Sequence, residues 1–584
     1  MTEPSTPRAH RVTNGHYGGW QVMFPPLRWL AGYPAAWLKF DLLAGLTLAA
    51  YAIPVSLAYA ALAGLPPQTG LYGYLFGGLG YALFGSSKQL AVGPTSAISL
   101  IFGLTLAQLA AGDPGRLPAL VTVTTMMVVG CFALAWVLRL SVFVNFISDS
   151  ILVGFKAGAA LAIAATQLPK LFGVPGGGDN FFQRLWMLGR QLGDTNPWVF
   201  AFGMVAIALL AAGAKWSPSR PVALAVVVLS LIAEAASGFS RLDFPIVGEV
   251  PAGLPVFDAA RFSLAGLDTG TFRQMAQLAF ACFLLAYIES ISAARALALK
   301  HGYEIDPRQE LLGLGAANLA AGLFQGYPSA GGLSQSAVNE KAGARTPLAL
   351  VFAAITLGLV LLCLTGVFRN LPTVVLAAVV LVAVASLVSI RDFRRLWRVN
   401  RLDFGAALTG LAGVLLLGIL DGVIFAVIAS LLLLLVRSTT PHVAFLGRIP
   451  GTHHFSDLAR HPDNELLKGV LAFRVEAALV YFNVEHVRRA VLDGVEGTPA
   501  GLKLVVCDLS NSPYVDMAGA KMLVGLHDEL EWQGIDLRVV EAHATERDLL
   551  RAEGLEKIVG PINRRISLDD VLEEFDRRPP ANGG

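Results

Sequence analysis

The chemistry of this sequence is concentrated in two short stretches of glycine, proline and small hydroxyl residues. One runs from Gly326 to Asn339, and an earlier one, Gly93 to Ala97, has the same order of glycine, proline, hydroxyl residues and alanine. Both interrupt strongly apolar sequence. Bare backbone N–H groups at membrane depth are tolerated only where protein buries them or where they line a water-filled cavity. Each stretch therefore predicts a broken membrane helix beside a cavity.

Pro94 and Pro328 are each expected to open a helix, because proline lacks an N–H and its fixed φ suits the first turn. We predict helices that begin near Thr95 and near Ser329. Their free N–H groups and positive dipole ends would form an anion site. The alternative is two ordinary proline-started helices that pack through small residues. Paired broken helices at matching places in two halves instead indicate a transporter binding site.

Two ionisable residues lie inside apolar segments, where charge is expensive and marks function by default. Burial disfavours the ionised form of a carboxyl group, so we expect Glu289 to carry a coupled proton or ion. Ser292, one turn later, shares its helix face. Lys156 could attract the substrate. The alternatives are a structural bond of Glu289 to Lys156 or Arg295, and a structural or snorkelling role for Lys156. Neutral donors that could line the cavity, or join helices, are Asn318, Gln325 and Gln335.

Composition places the chain in the membrane. Its 584 residues are 55% hydrophobic and 15% charged, against about 25% charged residues in a soluble protein. About fourteen apolar segments lie between Asp41 and Arg437, and the broken stretches are the third member of each seven. An odd repeat number inverts orientation, so a seven-plus-seven inverted repeat is predicted. The predicted starts are Leu42, Thr69, Thr95, Leu117, Val142, Trp198, Val222, Phe272, Gln309, Ser329, Leu348, Val374, Phe404 and Val423.

Charge placement favours a cytoplasmic N-terminus. The run from Arg391 to Arg401 holds five arginines, which we interpret as a topology signal and a contact for lipid headgroups. The net charge of +2 gives no argument for nucleic acid. No cleavable signal peptide is expected, because the first apolar segment begins only near Leu42.

After Arg437 the sequence changes character. Charges become frequent, and short β-rich runs alternate with helical ones, which predicts a small cytoplasmic α/β domain. The predicted domains are a cytoplasmic N-terminal segment at 1–40, a transmembrane transport domain at 41–437, the α/β domain at 438–578 and a disordered tail at 579–584.

Several chemistries are not encoded. No GxxxxGK[ST], GxSxG or HExxH motif occurs, so neither an ATP-driven pump nor a hydrolase is expected, and no cofactor is implied. The four cysteines contain no CxxC pair and suggest neither disulfides nor zinc. A histidine cluster follows the last apolar segment, but its spacing fits no standard metal site, so we expect a solvated loop. Its members are His442, His453, His454 and His461.

From Lys39 to Phe575 the sequence resembles the SulP family of sulfate permeases and anion exchangers. The resemblance is carried by Ile53–Phe76, Phe84–Leu100 and Ser329–Ala349, and by the sequence around Glu289. It implies a core domain that moves against a gate domain, a homodimer, and an anion held between the N-termini of the third and tenth helices. Glu289 matches an acid that the family often has on its eighth helix. The binding residues implied are Thr95, Ser96, Ala97, Ser329, Ala330, Gly331, Gly332 and Leu333. With Gln335, a neutral donor beside them, they make nine predicted binding residues.

The C-terminal region resembles a STAS domain, and two departures from the family pattern matter. Many SulP members place arginine where this chain has Gln335, so its site lacks one fixed positive charge. A proton on Glu289 would offset part of that loss, which favours symport of the anion with H⁺. In the STAS domain, Asp516 is followed by Met517 and Ala518 rather than by a phosphorylatable serine, so we expect no phosphoswitch there.

We therefore expect a secondary transporter of small inorganic anions, sulfate first, that works by proton symport and alternating access. It would be a multi-pass protein of the plasma or bacterial inner membrane with both termini in the cytoplasm. Three alternatives to this function stay open. They are an uncoupled exchanger or channel on the same scaffold, a transporter of bicarbonate or dicarboxylates, and a membrane sensor that signals through its STAS domain. An enzyme is not expected, because no nucleophile and base are paired.

Overall fold

The computed structural model describes residues 25, 29–30, 32–110, 113–140, 149–216, 221–237, 244–263, 268–385, 387–499 and 501–577. Most of the predicted N-terminal segment, the predicted start at Val142 and the tail at 579–584 lie outside these residues. The chain divides into two compact units between Ser430 and Leu431.

The first unit is helical, and the boundary between the two units falls within its last helix. Six of its described helical spans are long and apolar enough to cross a membrane. Its helices are α1 (Leu38–Leu62), α2 (Pro67–Phe84), α3 (Ser96–Leu109), α4 (Leu117–Val137), α5 (Asp149–Phe172), α6 (Phe181–Gln191), α7 (Pro197–Trp216), α8 (Val222–Ser237), α9 (Thr269–His301), α10 (Pro307–Leu323), α11 (Leu333–Lys341), α12 (Leu348–Cys363), α13 (Thr373–Ala385), α14 (Ile390–Val399), α15 (Arg401–Leu417) and α16 (Ile419–Thr439).

Each predicted apolar segment overlaps one of these helices, which confirms the predicted fold class. The two additional helices, α6 and α14, are amphipathic and short. Four arginines of the run lie on α14, and the fifth, Arg401, begins α15. The N-terminus of α14 is capped by Ser389, whose Oγ accepts the Asp392 N–H at 3.2 Å. Trp397 and Val399 on this helix are exposed, as expected for a helix at a membrane interface.

Glycine lets the long helices pack backbone to backbone. A Cβ on Gly154 of α5 would lie 1.7 Å from the carbonyl oxygen of Ala407 on α15, and one on Gly80 of α2 would lie 2.5 Å from that of Ala316 on α10. Only glycine allows such approaches. Small residues at helix contacts are typical of membrane proteins, because apolar lipid gives no hydrophobic drive for helix association.

The two broken helices are preceded by short strands that pair with each other. Strand β1 (Val92–Gly93) is antiparallel to β2 (Ala330–Gly331), with Val92 opposite Gly331 and Gly93 opposite Ala330. The predicted start of the second broken helix near Ser329 is therefore wrong by about one turn: β2 occupies that position and α11 begins at Leu333. Pro328 precedes the strand and does not open the helix. The first prediction was closer, since α3 begins at Ser96.

The second unit contains a five-stranded sheet of order β4-β3-β5-β6-β7. Its strands are β3 (Val443–Arg448), β4 (Phe455–Asp457), β5 (Val470–Val475), β6 (Leu504–Asp508) and β7 (Asp536–Val540), and its helices are α17 (Val484–Glu496), α18 (Met517–Glu531), α19 (Ala544–Ala552), α20 (Leu555–Val559) and α21 (Leu568–Arg577). Strands β5, β6 and β7 are parallel, and β3 is antiparallel to β4 and β5. Asp516 caps α18 by accepting the Gly519 N–H at 2.8 Å.

Candidate anion-binding site

The N-termini of α3 and α11 share a cavity of about 240 Å³. Residues from α1, α5, α9, the end of α13 and the segment around the start of α14 complete its walls. The lining residues are Tyr51, Tyr59, Pro94, Thr95, Ser96, Lys156, Glu289, Ser292, Gly332, Leu333, Ser334, Gln335, Ala383, Leu387, Ser389 and Asp392. Two helix ends that are far apart in sequence thus face one small space.

Neither helix end is capped by a side chain. The first bonds within the helices run from the Ser99 N–H to the Thr95 carbonyl, 2.9 Å, and from the Ser336 N–H to the Gly332 carbonyl, 3.0 Å. The N–H groups of the first three residues in each helix therefore have no acceptor within the helix. Such amides, together with the positive end of the dipole, bind anions.

Thr95 offers a further donor to this cavity. It is only 9% exposed. Its Oγ1 has no hydrogen-bond partner of good geometry in the part of the chain that the structure describes, although the Glu289 carboxyl group lies beside it. A buried hydroxyl without a partner is costly. A ligand that accepted its proton would remove that cost.

The half-buried Glu289 faces the cavity from α9. It interacts electrostatically with Lys156, one of the two partners considered from the sequence. Ser292 lines the cavity one turn further along α9. With Asp392, which also lines the cavity, the structure thus brings two acids, one base and the Ser292 hydroxyl group to the same space as the helix ends.

Three of the nine predicted binding residues bond or pair with other parts of the protein, so the structure corrects their assignment to the anion site. The Ser329 N–H donates to Asn318 Oδ1 at 2.9 Å, and the Gly331 N–H donates to Ser290 Oγ at 2.7 Å. Ala330 is held in the strand pair between them. None of the three lines the cavity, because the extended segment turns their donors toward protein. The side chain of Ala97 is also buried away from it.

Gln335 lines the cavity, but its side-chain amide has no donor left for an anion. Its Nε2 donates to the carbonyl oxygens of Ala91, 3.0 Å, and Ala330, 2.9 Å. One amide therefore joins the segment before α3 to the segment before α11. This corrects its interpretation as a substrate donor and makes it a structural tie.

Two more side chains of α11 hold the segment that leads to α3. Ser336 Oγ accepts the Ala91 N–H at 2.9 Å, and Asn339 Nδ2 donates to the Gln89 carbonyl at 3.0 Å. With Gln335, these residues form a row that we call the polar ladder of α11. It fixes the two helix ends relative to each other.

One aromatic residue joins the segment that leads to α11 to helix α3. Tyr327, which precedes β2, shares a hydrogen bond of 2.9 Å between its hydroxyl group and that of Ser99 on α3. Its ring stacks on Phe102 with centroids 5.9 Å apart. The segment that precedes each half-helix therefore contacts the other half-helix.

Two fully buried carboxylates, which sequence reasoning missed, hold loops near the half-helices. Glu310 accepts from the N–H groups of Ser86, 2.9 Å, and Ser87, 3.0 Å, in the loop before β1. Asp41 accepts from Thr346 Oγ1 at 2.7 Å, in the loop after α11. The sequence signal that could have found them was an acid within or beside apolar sequence. Both carboxylates accept hydrogen bonds from protein donors.

The other two neutral candidates do not line the cavity. Asn318 brackets Ser329, donating from Nδ2 to its carbonyl at 3.1 Å and accepting its N–H. Gln325 donates from Nε2 to the Val256 carbonyl at 2.8 Å. Both therefore serve as ties between segments. Cavity residues that the sequence did not single out are Tyr51, Tyr59, Ser334, Ser389 and Asp392.

In the second unit, two of the clustered histidines pair with carboxylates. His442 Nε2 lies 2.8 Å from Asp457 Oδ2, and His453 Nδ1 lies 2.6 Å from Asp569 Oδ2. Hydrogen bonding to His442 contributes to a lowered pKa of Asp457, against the effect of its partial burial. These contacts tie loops of the α/β unit together.

Helices that cross a membrane, two of them broken at a shared anion-type cavity, define a multi-pass membrane protein of the transporter class. Comparison with known families agrees with this class. The "Sulfate permease family" profile matches residues 38–410, and the STAS domain profile matches residues 461–569. The chain belongs to the sulfate permease family.

Its relatives are similar over most of their length. A protein of Mycobacterium tuberculosis named "Probable sulfate transporter" is 33% identical over 94% of this chain and 97% of its own. Low affinity sulfate transporter 3 of Stylosanthes hamata is 32% identical over 89% of this chain and 84% of its own. Both relatives are named as sulfate transporters, which supports anion transport as the activity of this chain.

Solved structures show the same fold. Murine solute carrier 26 family member A9, in an inward-facing state, matches with a TM-score of 0.84 and 21% identity, over 99% of this chain and 100% of the other. The transmembrane domain of a cyanobacterial bicarbonate transporter matches with a TM-score of 0.58 and 24% identity, over 67% of this chain and 97% of the other. At these identities the likeness concerns the fold alone.

Proposed function

We propose that this protein is a secondary active transporter of small inorganic anions, with sulfate as its principal substrate, working by proton symport and alternating access. The observation that carries this proposal is the shared cavity at two uncapped helix N-termini. The anion would be held by the first N–H groups of α3 and α11 and by Thr95 Oγ1. Ser96, Gly332, Leu333 and Ser334 supply the adjoining surface.

The charges around the cavity support coupling to protons. Each helix end contributes roughly half a positive charge, and Lys156 adds one. Glu289 and Asp392 oppose them when both are ionised. A dianion such as sulfate would then be under-compensated. A proton that binds Glu289 together with the anion removes one negative charge, so the two ligands favour each other's binding.

Sulfate is proposed on two grounds. Several relatives are named as sulfate transporters, and the donors in the cavity suit a small oxyanion. Bicarbonate and dicarboxylates could use the same donors, so a competition screen with labelled sulfate belongs in the first experiment. The homodimer, the plasma or inner membrane location and the cytoplasmic termini remain predictions.

The test measures sulfate uptake into proteoliposomes with and without an imposed inward proton gradient. Wild-type protein should accumulate sulfate in response to the gradient. Glu289→Gln, which keeps the shape and cannot lose a proton, should make uptake independent of the gradient while sulfate exchange continues. Ser292→Ala, on the same face of α9, is the matched control and should keep the gradient response.

Two results would contradict the proposal. Wild-type uptake that ignores the gradient would refute proton coupling and favour an uncoupled exchanger or channel. Unchanged gradient dependence in Glu289→Gln would remove Glu289 from the coupling. Stronger competition by bicarbonate or a dicarboxylate than by unlabelled sulfate would change the assigned substrate.

A further inference from the structure

A second cavity of about 500 Å³ adjoins the anion cavity on the side of α14. Lys156, Ser292 and Asp392 line both cavities, so the two spaces share a wall of polar groups. We call the second cavity the vestibule. Besides these three residues, Arg395 and Asp403 contribute charged side chains to it.

The charges of the vestibule balance only because of Arg395. Lys156 and Arg395 are the basic residues of its lining, and Asp392 and Asp403 are the acidic ones. If Arg395 were neutral, the vestibule would carry one net negative charge. An anion that approached through it would then meet a net negative charge and be repelled, because the walls of a cleft focus the field of the charges that line it.

Arg395 differs from its neighbours on the same helix. The arginine run also contains Arg391, Arg394 and Arg398, but of these four only Arg395 belongs to the lining of the vestibule. It lies one turn after Asp392, on the same face of α14. The side chain is exposed, and within the described ranges no acidic residue forms an ion pair with it. Its guanidinium group is therefore available to a passing ligand.

We infer that Arg395 is the residue that first captures the oxyanion and delivers it to Lys156 and the helix ends. This inference rests on the proposed anion transport and assigns a step within it. A planar guanidinium group matches the spacing of two oxygens of an oxyanion. Because the site is exposed, the contact speeds association without contributing to the transport step that follows.

The experiment compares Arg395→Gln with Arg394→Gln, which changes another exposed arginine of α14 that lies outside the vestibule. Initial rates of labelled sulfate transport are measured across a range of sulfate concentrations in right-side-out and inside-out membrane vesicles. On the face that carries α14, Arg395→Gln should raise the apparent KM about fivefold at low ionic strength, since steering by charge is then strongest. Arg394→Gln should stay within about twofold of the wild type.

Salt and a conservative variant separate this role from a structural one. The difference in KM should shrink to less than about twofold near 0.5 M of a salt that is not transported, because exposed charges are screened there. The maximal rate should be unchanged throughout. Arg395→Lys should restore most of the affinity at low ionic strength.

Three outcomes would overturn the inference: equal KM values for the two glutamine variants, a change that ignores ionic strength, or a change confined to the maximal rate. Size-exclusion profiles and unfolding temperatures of the purified variants exclude misfolding as the cause. If the wild type transported no anion from either face, the proposed function itself would fail, and the inference with it.

Discussion

The half-helices α3 and α11 present their N-termini to the same cavity but are built from opposite chemistry. α3 has 14 residues, and its buried side chains are mostly apolar. α11 has 9 residues, and its buried side chains are Gln335, Ser336 and Asn339. α3 is held by burial and one hydroxyl pair with Tyr327, whereas α11 is held by its polar ladder.

The difference shows that two kinds of packing can each hold a helix N-terminus at the cavity. Inside a membrane, apolar packing tolerates the loss of a single hydrogen bond, because the remaining contacts keep the helix in place. A polar ladder is less tolerant, since each removed side chain leaves a backbone group unpaired in a poorly solvated region. Matched substitutions on the two half-helices should therefore have unequal effects.

The largest effect is expected for Gln335→Leu. The carbonyl oxygens of Ala91 and Ala330 would both lose their donor, which costs roughly 2–5 kcal/mol of unfolding free energy in total. Most sulfate uptake should be lost as the helix ends separate. Thermal unfolding and proteoliposome uptake measure the two quantities.

Gln325→Leu is the control for that variant, because it removes one hydrogen bond to Val256 away from the cavity. It should cost under about 1 kcal/mol and leave uptake nearly intact. If the two variants behave alike, the polar ladder does not determine the position of α11.

A smaller and more direct contrast comes from two fully buried serines. Ser336→Ala leaves the Ala91 N–H without an acceptor and should cost about 1–3 kcal/mol. Ser99→Ala on α3 leaves only the Tyr327 hydroxyl group unpaired and should cost about 1 kcal/mol. Unfolding temperatures of the two purified variants test the order. A greater loss for Ser99→Ala would reverse the comparison.

The smallest effect on stability is expected for Thr95→Val. The replaced hydroxyl group has only the Glu289 carboxyl group beside it in the described protein, so the unfolding free energy should change by less than about 1 kcal/mol. The KM for sulfate should nevertheless rise about threefold, since one donor to the anion is lost. An unchanged KM would show that Thr95 Oγ1 does not contact the anion.

The fold was largely predictable because its signals are local. The apolar segments, the breaks near Pro94 and Pro328, and the change of composition after Arg437 each appear in a short window of sequence. The start of α11 was misplaced because strand β2 depends on pairing with β1, which lies over two hundred residues earlier. Local preference alone cannot reveal such pairing.

By itself, the sequence determined where the membrane helices break, which acid and which lysine lie inside apolar segments, and that a soluble α/β domain follows. Only the tertiary structure decided which polar groups are free to meet an anion. Ser329, Gly331 and Gln335 looked like donors. The backbone N–H groups of Ser329 and Gly331 are taken by Asn318 and Ser290, and the side-chain amide of Gln335 is taken by two carbonyls. The physical reason is that a donor's availability depends on what lies across from it, and residues distant in the chain supply those partners.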